Sequence, residues 1–120
     1  MSEEAVALLR ARLEGRLPQS SYGIECGDGW LMLLGELDHE IVKYDPGYRL
    51  AQVKAKFGAL RFYVDLSDDL ASEARDAVYK LIGEAERKSA VLCEMCGATG
   101  TMRRGRWMRV RCDVCEDASK

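Results

Sequence analysis

Four of the five cysteines in this chain form two closely spaced pairs near its C-terminal end. Cys93 and Cys96 make the first pair, and Cys112 and Cys115 make the second, which gives the pattern C-x2-C-x15-C-x2-C. Two thiolates separated by two residues can occupy adjacent corners of one metal tetrahedron, and a second pair supplies the other two corners. The spacing predicts one structural Zn2+ per chain, because four thiolates leave no open position for water or substrate.

Two disulfides or a redox-active pair are the alternative uses of these cysteines. Disulfide frameworks are typical of small secreted chains, and the acidic sequence at residues 1–4 does not resemble a signal peptide. A thioredoxin-like site would need one C-x-x-C beside a βαβ pattern. Zinc and a reducing, cytoplasmic location are therefore favoured. The fifth cysteine, Cys26, is then expected to be a small buried apolar residue, and a reactive thiol with His39 as its base is the alternative.

A basic segment without acidic residues lies between the two cysteine pairs. Arginine can contact phosphates and tryptophan can stack on unpaired bases, but both residue types also anchor protein interfaces. This segment is therefore predicted to bind a macromolecular partner, whereas the alternative for its tryptophan is to cover the junction between ribbon and helix. We name the segment the arginine arm, and its residues are Arg103, Arg104, Arg106, Trp107, Arg109 and Arg111.

A second candidate surface comes from residues 48–66, whose alternation of apolar and polar residues predicts a β-hairpin. One face is expected to pack on helices, and its residues are Ala51, Val53, Ala55, Phe57, Leu60, Phe62 and Val64. The opposite face is either an ordinary solvated sheet surface or a basic and aromatic binding surface. We name it the sheet face, and its residues are Lys54, Lys56, Arg61 and Tyr63.

Helical patterns flank the hairpin. The first predicted helix covers residues 3–14 and is capped by Ser2, and the second begins at Asp28 and ends before the turn at residues 45–47. The third is expected to begin at residues 67–69 and to reach about Ala90. Within the second helix, Glu36, Asp38 and Glu40 are interpreted as a solvated face rather than a metal cluster, because residues two apart on a helix do not face each other.

These elements predict an α+β fold with about three helices packed on a β-hairpin or small antiparallel sheet, followed by a zinc ribbon. The body is assigned to residues 1–91 and the ribbon to residues 92–116, with short strands at 99–104 and 106–111 joined at Gly105.

No apolar run approaches the length of about 18 residues that a membrane-spanning helix needs. The sequence also lacks a recognisable nucleophile–base pair or phosphate loop, so we expect a protein that is not an enzyme.

The charge distribution bears on the kind of partner. The chain has a net charge of −2, with −4 in residues 1–50 and +2 in residues 93–120. An acidic body argues against a general nucleic-acid binder, because such binding depends on several phosphate contacts. A protein partner, or a second copy of the chain bound head to tail, is therefore favoured, and a nucleic acid bound by the arginine arm is the alternative.

Several short segments resemble a group of small, uncharacterised bacterial and phage-encoded proteins. The segments are Gly27–Trp30, Lys54–Tyr63 with the pattern K-x-K-F-G-x-L-R-F-Y, Ala85–Ser89, and Cys93–Gly97. The resemblance covers roughly residues 22–115 and implies a short α+β body with a C-terminal pair of zinc-binding knuckles. Relatives carry a histidine where this chain has Cys115, so four ligands are kept. The phage association adds the expectation of a small inhibitor of a host defence system.

Overall fold

The computed structural model describes residues 2–119, which form the predicted α+β architecture. Four helices accompany a three-stranded sheet and a separate two-stranded hairpin. The elements in chain order are α1 (Glu3–Glu14), β1 (Ile24–Glu25), a 3-10 turn (Asp28–Trp30), α2 (Leu31–Ile41), β2 (Arg49–Lys56), β3 (Ala59–Asp65), α3 (Ser72–Ser89), β4 (Thr101–Arg103), β5 (Arg109–Arg111) and α4 (Asp113–Ala118).

The larger sheet is mixed, with the strand order β1-β2-β3. β2 and β3 pair antiparallel, as predicted, whereas β1 pairs parallel to β2. The parallel pair follows from the connection, because α2 lies between β1 and β2 and carries the chain back across the sheet. The core lies between the helices and one face of this sheet, and its fully buried side chains include Trp30, Leu34, Ile41, Val53 and Leu60.

The prediction of which hairpin residues are buried was wrong at both ends of the hairpin. The pairing register shifts between Leu50 and Gln52, so Ala51 is an extra, exposed residue and Leu50 is buried instead. Such a bulge reverses the face on which the following residues lie. At the other end, Phe57 lies in the two-residue turn with a φ of 55° and is 67% exposed.

The third helix begins at Ser72, five residues later than Ser67, where its start was predicted. The carboxylate of Asp45 accepts hydrogen bonds from the Ser67 backbone N–H and from the Ser67 hydroxyl, both at 2.7 Å. Ser67 is therefore held by the turn that follows α2, and it does not cap a helix. The side chain of Arg75 donates to the Ser67 carbonyl at 2.9 Å and closes this connection.

The interpretation of Asp38 as a solvated residue was also wrong, because it is only 2% exposed. Its carboxylate accepts a hydrogen bond from Arg16 Nε at 2.7 Å and another from the Tyr48 hydroxyl. The Arg16 guanidinium also lies 4.3 Å from the centre of the Tyr48 ring and donates to the Tyr48 carbonyl. These contacts join the end of α1, the middle of α2 and the start of β2.

Two further differences concern the C-terminal part. The strands of the small hairpin are shorter than predicted, so Arg104, Arg106 and Trp107 lie in a loop rather than in strands. A short helix, α4, follows the second cysteine pair and was not predicted. Among residues 2–119, no helix is both long and apolar enough to cross a membrane.

Candidate metal centre and adjoining surface

The four paired cysteines lie together, as the spacing predicted. The Sγ atoms of Cys93, Cys96, Cys112 and Cys115 all lie within 4.8 Å of one another, and each cysteine is a free thiol. The distance between Cys96 Sγ and Cys112 Sγ is 3.7 Å. Zinc–sulfur bonds of about 2.3 Å in a tetrahedron separate the sulfurs by about 3.8 Å. The donor set therefore fits a single tetrahedral metal ion of the zinc type, with all four corners supplied by the chain.

The first knuckle is shaped by its own backbone. Gly97 has a φ of 83°, which only glycine adopts without strain, and its N–H donates to the Cys93 carbonyl at 2.8 Å. Although burial raises the pKa of the Cys93 thiol, the backbone N–H groups of Cys112, Cys96 and Met95 point at its sulfur and lower the pKa to about 6. The turn thus favours a thiolate at the most buried ligand position.

The second knuckle begins α4. The sulfur of Cys112 accepts a hydrogen bond from the Cys115 N–H at 3.4 Å and caps the helix. Hydrogen bonds to Cys112, Cys96 and Cys93 raise the pKa of Cys115 to about 12, because neighbouring sulfurs disfavour another negative charge. A bound dication removes that penalty, and its binding would release protons from the thiols.

The 3-10 turn of the body packs directly on the first knuckle. The N–H of Gly29 donates to the Glu94 carbonyl at 2.8 Å, and the N–H of Gly27 donates to Glu94 Oε2 at 2.9 Å. A Cβ atom at Gly29 would lie only 2.2 Å from the Cys93 carbonyl oxygen, so only glycine permits this approach. Buried Trp30 donates from Nε1 to the Leu92 carbonyl at 2.9 Å. These contacts give the segment Gly27–Trp30 a structural role, which could not be predicted from the local sequence.

The residues of the arginine arm divide into two groups. Arg103 donates to the Arg111 carbonyl and forms an ion pair with Asp113 at 2.7 Å, while Arg109 forms an ion pair with Glu116 at 2.6 Å. Both side chains therefore hold α4 against the β4–β5 hairpin. By contrast, Arg104 and Arg106 are exposed and form no ion pair within residues 2–119, and Arg111 is half-buried.

Trp107 is 60% exposed, with the Arg109 guanidinium 5.1 Å from its ring centre. It does not cover the ribbon–helix junction, where Trp30 lies instead. Trp107 and Arg106 meet the tip of the β2–β3 hairpin, where Lys56 and Phe57 complete a groove of about 710 Å3. The arginine arm and the sheet face thus meet at this tip through Lys56, which sequence reasoning left undecided.

Other members of the sheet face lie beside the groove along the hairpin. Lys54 pairs across the strands with Arg61, and Gln52 pairs with Tyr63, which is 45% exposed. The parallel neighbour of Lys54 is Glu25 in β1. This surface is therefore basic and aromatic, with one carboxylate at its margin.

The outer edge of β3 is covered by α3. The N–H of Leu60 donates to the Ser89 hydroxyl at 3.1 Å, and the N–H of Phe62 donates to Glu86 Oε2 at 3.2 Å. These side chains occupy backbone donors that an added strand would need. The segment Ala85–Ser89 therefore has a structural function, and a partner strand cannot pair along this part of β3.

The remaining candidate residues, Cys26 and His39, do not line this groove. Cys26 is half-buried and packs against the core, and burial raises the pKa of its thiol to about 12, which disfavours a reactive thiolate. His39 is exposed on α2. Comparison with protein-family models, curated proteins and solved structures finds no match for the chain.

Proposed function

We propose that the protein is a non-enzymatic binding protein whose zinc ribbon presents a contact surface to another protein. The observation that carries this proposal is the exposed Trp107 and Arg106 on a loop held between two cysteine knuckles. A loop fixed in this way loses little conformational entropy when it binds. Tryptophan and arginine are also the residue types that most often dominate protein interfaces.

Zinc is the metal that this donor set favours. Four sulfur donors suit a soft or borderline metal, and tetrahedral geometry suits zinc. The proposed role is structural, because the four cysteines would close the coordination sphere and leave no position for substrate. Since Cys93 and Val110 are the buried apolar residues of the described ribbon, 93–119, its core is very small. Metal binding would then supply much of the ribbon's folding free energy.

The charge of the loaded ribbon favours a protein ligand over a nucleic acid. Residues 93–120 carry a formal charge of +2 before the metal binds. Four thiolates and one Zn2+ add a charge of −2, so the loaded ribbon is formally neutral. Within that sum, the charges of Arg103 and Arg109 are paired with those of Asp113 and Glu116. A polyanion that relies on counterion release gains little from such a surface.

The narrower proposal of an inhibitor of a host defence system is supported only by the resemblance to phage-encoded proteins. It makes a specific statement about the partner, which would be a component of such a system. The same capture experiment that tests the protein-binding function therefore tests this idea through the identity of the captured protein.

The test is affinity capture from the source cells with nuclease treatment. Wild-type protein is expected to retain a stoichiometric protein, and the double variant Arg106→Glu/Trp107→Ala is expected to lose it. The matched control is Lys80→Glu/Tyr79→Ala, which likewise reverses one positive charge and removes one exposed aromatic ring, but on α3. Capture that depends on nucleic acid, or that is equal for both double variants, would contradict the proposal.

A further inference from the structure

We propose that the groove between the β2–β3 hairpin tip and the arginine arm binds an acidic protein segment through one bulky apolar side chain. This inference rests on the proposed protein-binding function and assigns it a site and a ligand chemistry. The groove is lined by hairpin residues Ala55–Phe57, by Glu94, and by the loop residues Gly105–Arg109. Its volume of about 710 Å3 is enough for a large side chain and its neighbouring backbone.

The two walls of the groove are fixed to each other. Gly58 lies so close to the ribbon that a Cβ atom there would be 2.5 Å from Met102 Sδ and 3.3 Å from the backbone nitrogen of Arg109. Gly58 itself has a φ of 80°, so it satisfies both the tight turn and this close contact. The groove is therefore formed before a partner arrives, and binding does not have to bring the walls together.

Phe57 is an unfavourable residue for its position in the turn. A two-residue hairpin turn with positive φ at both residues favours Asn-Gly, and a bulky side chain there is strained. Phe57 has a φ of 55° and is 67% exposed, so burial within the chain does not compensate for the strain. Residues in strained backbone conformations are concentrated at active sites and ligand-binding sites.

The positive charges around the groove favour a negatively charged ligand. The Lys56 ammonium lies 5.6 Å from the centre of the Phe57 ring, and exposed Arg104 and Arg106 follow on the loop. Lys54 and Arg61 extend the positive charge along the sheet face. Carboxylates flanking an apolar side chain would meet these cations at the rim, where such pairs set specificity and association rate.

A polynucleotide fits the same groove less well. Glu94 places a carboxylate on the groove wall, and its Oε2 is held by the Gly27 N–H. A phosphodiester backbone would have to pass this carboxylate, and the formally neutral ribbon offers little long-range attraction. A short acidic segment needs only the few cations at the rim.

The test uses fluorescein-labelled dodecapeptides and the full-length zinc-loaded protein. Four peptides combine an acidic or an uncharged flanking sequence with a central Trp or a central Gly, and a twelve-nucleotide oligothymidylate is the nucleic-acid probe. Fluorescence anisotropy is expected to show binding of the acidic peptide with central Trp. Removing either the charge or the Trp is expected to weaken binding by about tenfold or more.

Phe57→Asn separates binding from folding. Asparagine suits the turn, so we expect the melting temperature to stay equal or to rise by about 2–5 °C, while affinity for the acidic peptide falls about tenfold. Arg106→Glu is expected to weaken binding to a similar extent, and Lys80→Glu on α3 is the charge-matched control.

Each other outcome has a defined meaning. Peptide binding that is unchanged in Phe57→Asn and Arg106→Glu would overturn the groove as the site and leave the protein-binding function standing. Tighter binding of the oligothymidylate than of any peptide would overturn the assigned ligand and the protein-binding function together. Binding of no peptide would overturn the ligand chemistry, and the capture experiment would then decide the function alone.

Discussion

At the residue scale, two buried carboxylates determine how the body is connected. Asp38 joins α1, α2 and β2 through Arg16 and Tyr48, and Asp45 joins the end of α2 to the segment before α3 through Ser67. Both residues are less than 5% exposed. Buried carboxylates are tolerated only when they are paired or hydrogen-bonded. Substituting either residue should therefore lower the free energy of unfolding more than substituting an exposed acidic residue.

Replacing Asp38 with Ala is expected to lower the free energy of unfolding by about 3 kcal/mol, because it leaves Arg16 without its buried partner. Tyr48→Phe removes only one hydroxyl from the same group and is expected to cost about 1 kcal/mol. Urea unfolding followed by circular dichroism measures both values. A loss for Asp38→Ala no larger than that for Tyr48→Phe would argue against an ion pair that contributes to folding.

Asp45 should make the protein sensitive to acid. Burial by itself raises the pKa of this carboxyl, but hydrogen bonds from Ser67 and Gly47 and the charge of Arg75 lower it overall. A lowered pKa in the folded state means that Asp45 stabilises the protein above its unfolded pKa of about 3.9, and that this contribution is lost as pH falls further. Asp45→Asn should therefore flatten the decrease in unfolding free energy below about pH 4. An unchanged pH profile would show that another group causes the acid sensitivity.

At the element scale, the junction between the 3-10 turn and the first knuckle connects the body to the four-cysteine centre. Backbone groups make most of this junction, since Gly27 and Gly29 both donate to Glu94. Trp30 adds a hydrogen bond to the Leu92 carbonyl. Glycine is required at position 29 because of space rather than backbone conformation. The junction therefore depends on the absence of a Cβ atom at Gly29.

Gly29→Ala is expected to lower the unfolding free energy by about 2 kcal/mol and to weaken zinc binding, because the new methyl group would clash with the Cys93 and Glu94 carbonyls. The matched control is Gly83→Ala within α3, where the nearest atom is the end of the Arg87 side chain at 3.5 Å. That change should stabilise the helix by up to about 1 kcal/mol. Denaturant unfolding and zinc competition with a chelator measure the two effects. Equal behaviour of the two variants would exclude a close contact at Gly29.

At the scale of the whole molecule, two contacts among the described residues hold the ribbon against the body. One is the junction at Gly29 and Glu94, and the other is the packing of Gly58 at the hairpin tip against Met102. Two contacts restrict rotation of the ribbon, so the groove between them keeps its shape. The four-cysteine centre is thereby connected to the geometry of the proposed binding surface and to the environment of Trp30.

In the zinc-loaded protein that we propose, removal of the metal by a chelator is expected to release the ribbon and to expose Trp30. In a Trp107→Phe background, Trp30 is the remaining tryptophan, and its emission should shift to longer wavelength. Hydrogen exchange should show loss of protection at residues 27–30 and 92–112, with α3 protected much longer, because α3 packs mainly on α2 and β3. Retained emission and protection at residues 27–30 would show that the junction forms without metal.

The sequence alone was enough to predict the four metal-ligand candidates, the first two helices, the β2–β3 hairpin and the α+β class. These features depend on spacing within about 25 residues, on local periodicity and on turn-forming residues, all of which are local. Tertiary structure decided the burial of Asp38, the bulge at Ala51, the late start of α3 and the pairing of Arg103 and Arg109 with α4. It also decided that the arginine arm and the sheet face share one groove. The contact between Gly29 and Glu94 joins residues 65 positions apart, and no local pattern specifies which backbone groups meet across such a distance.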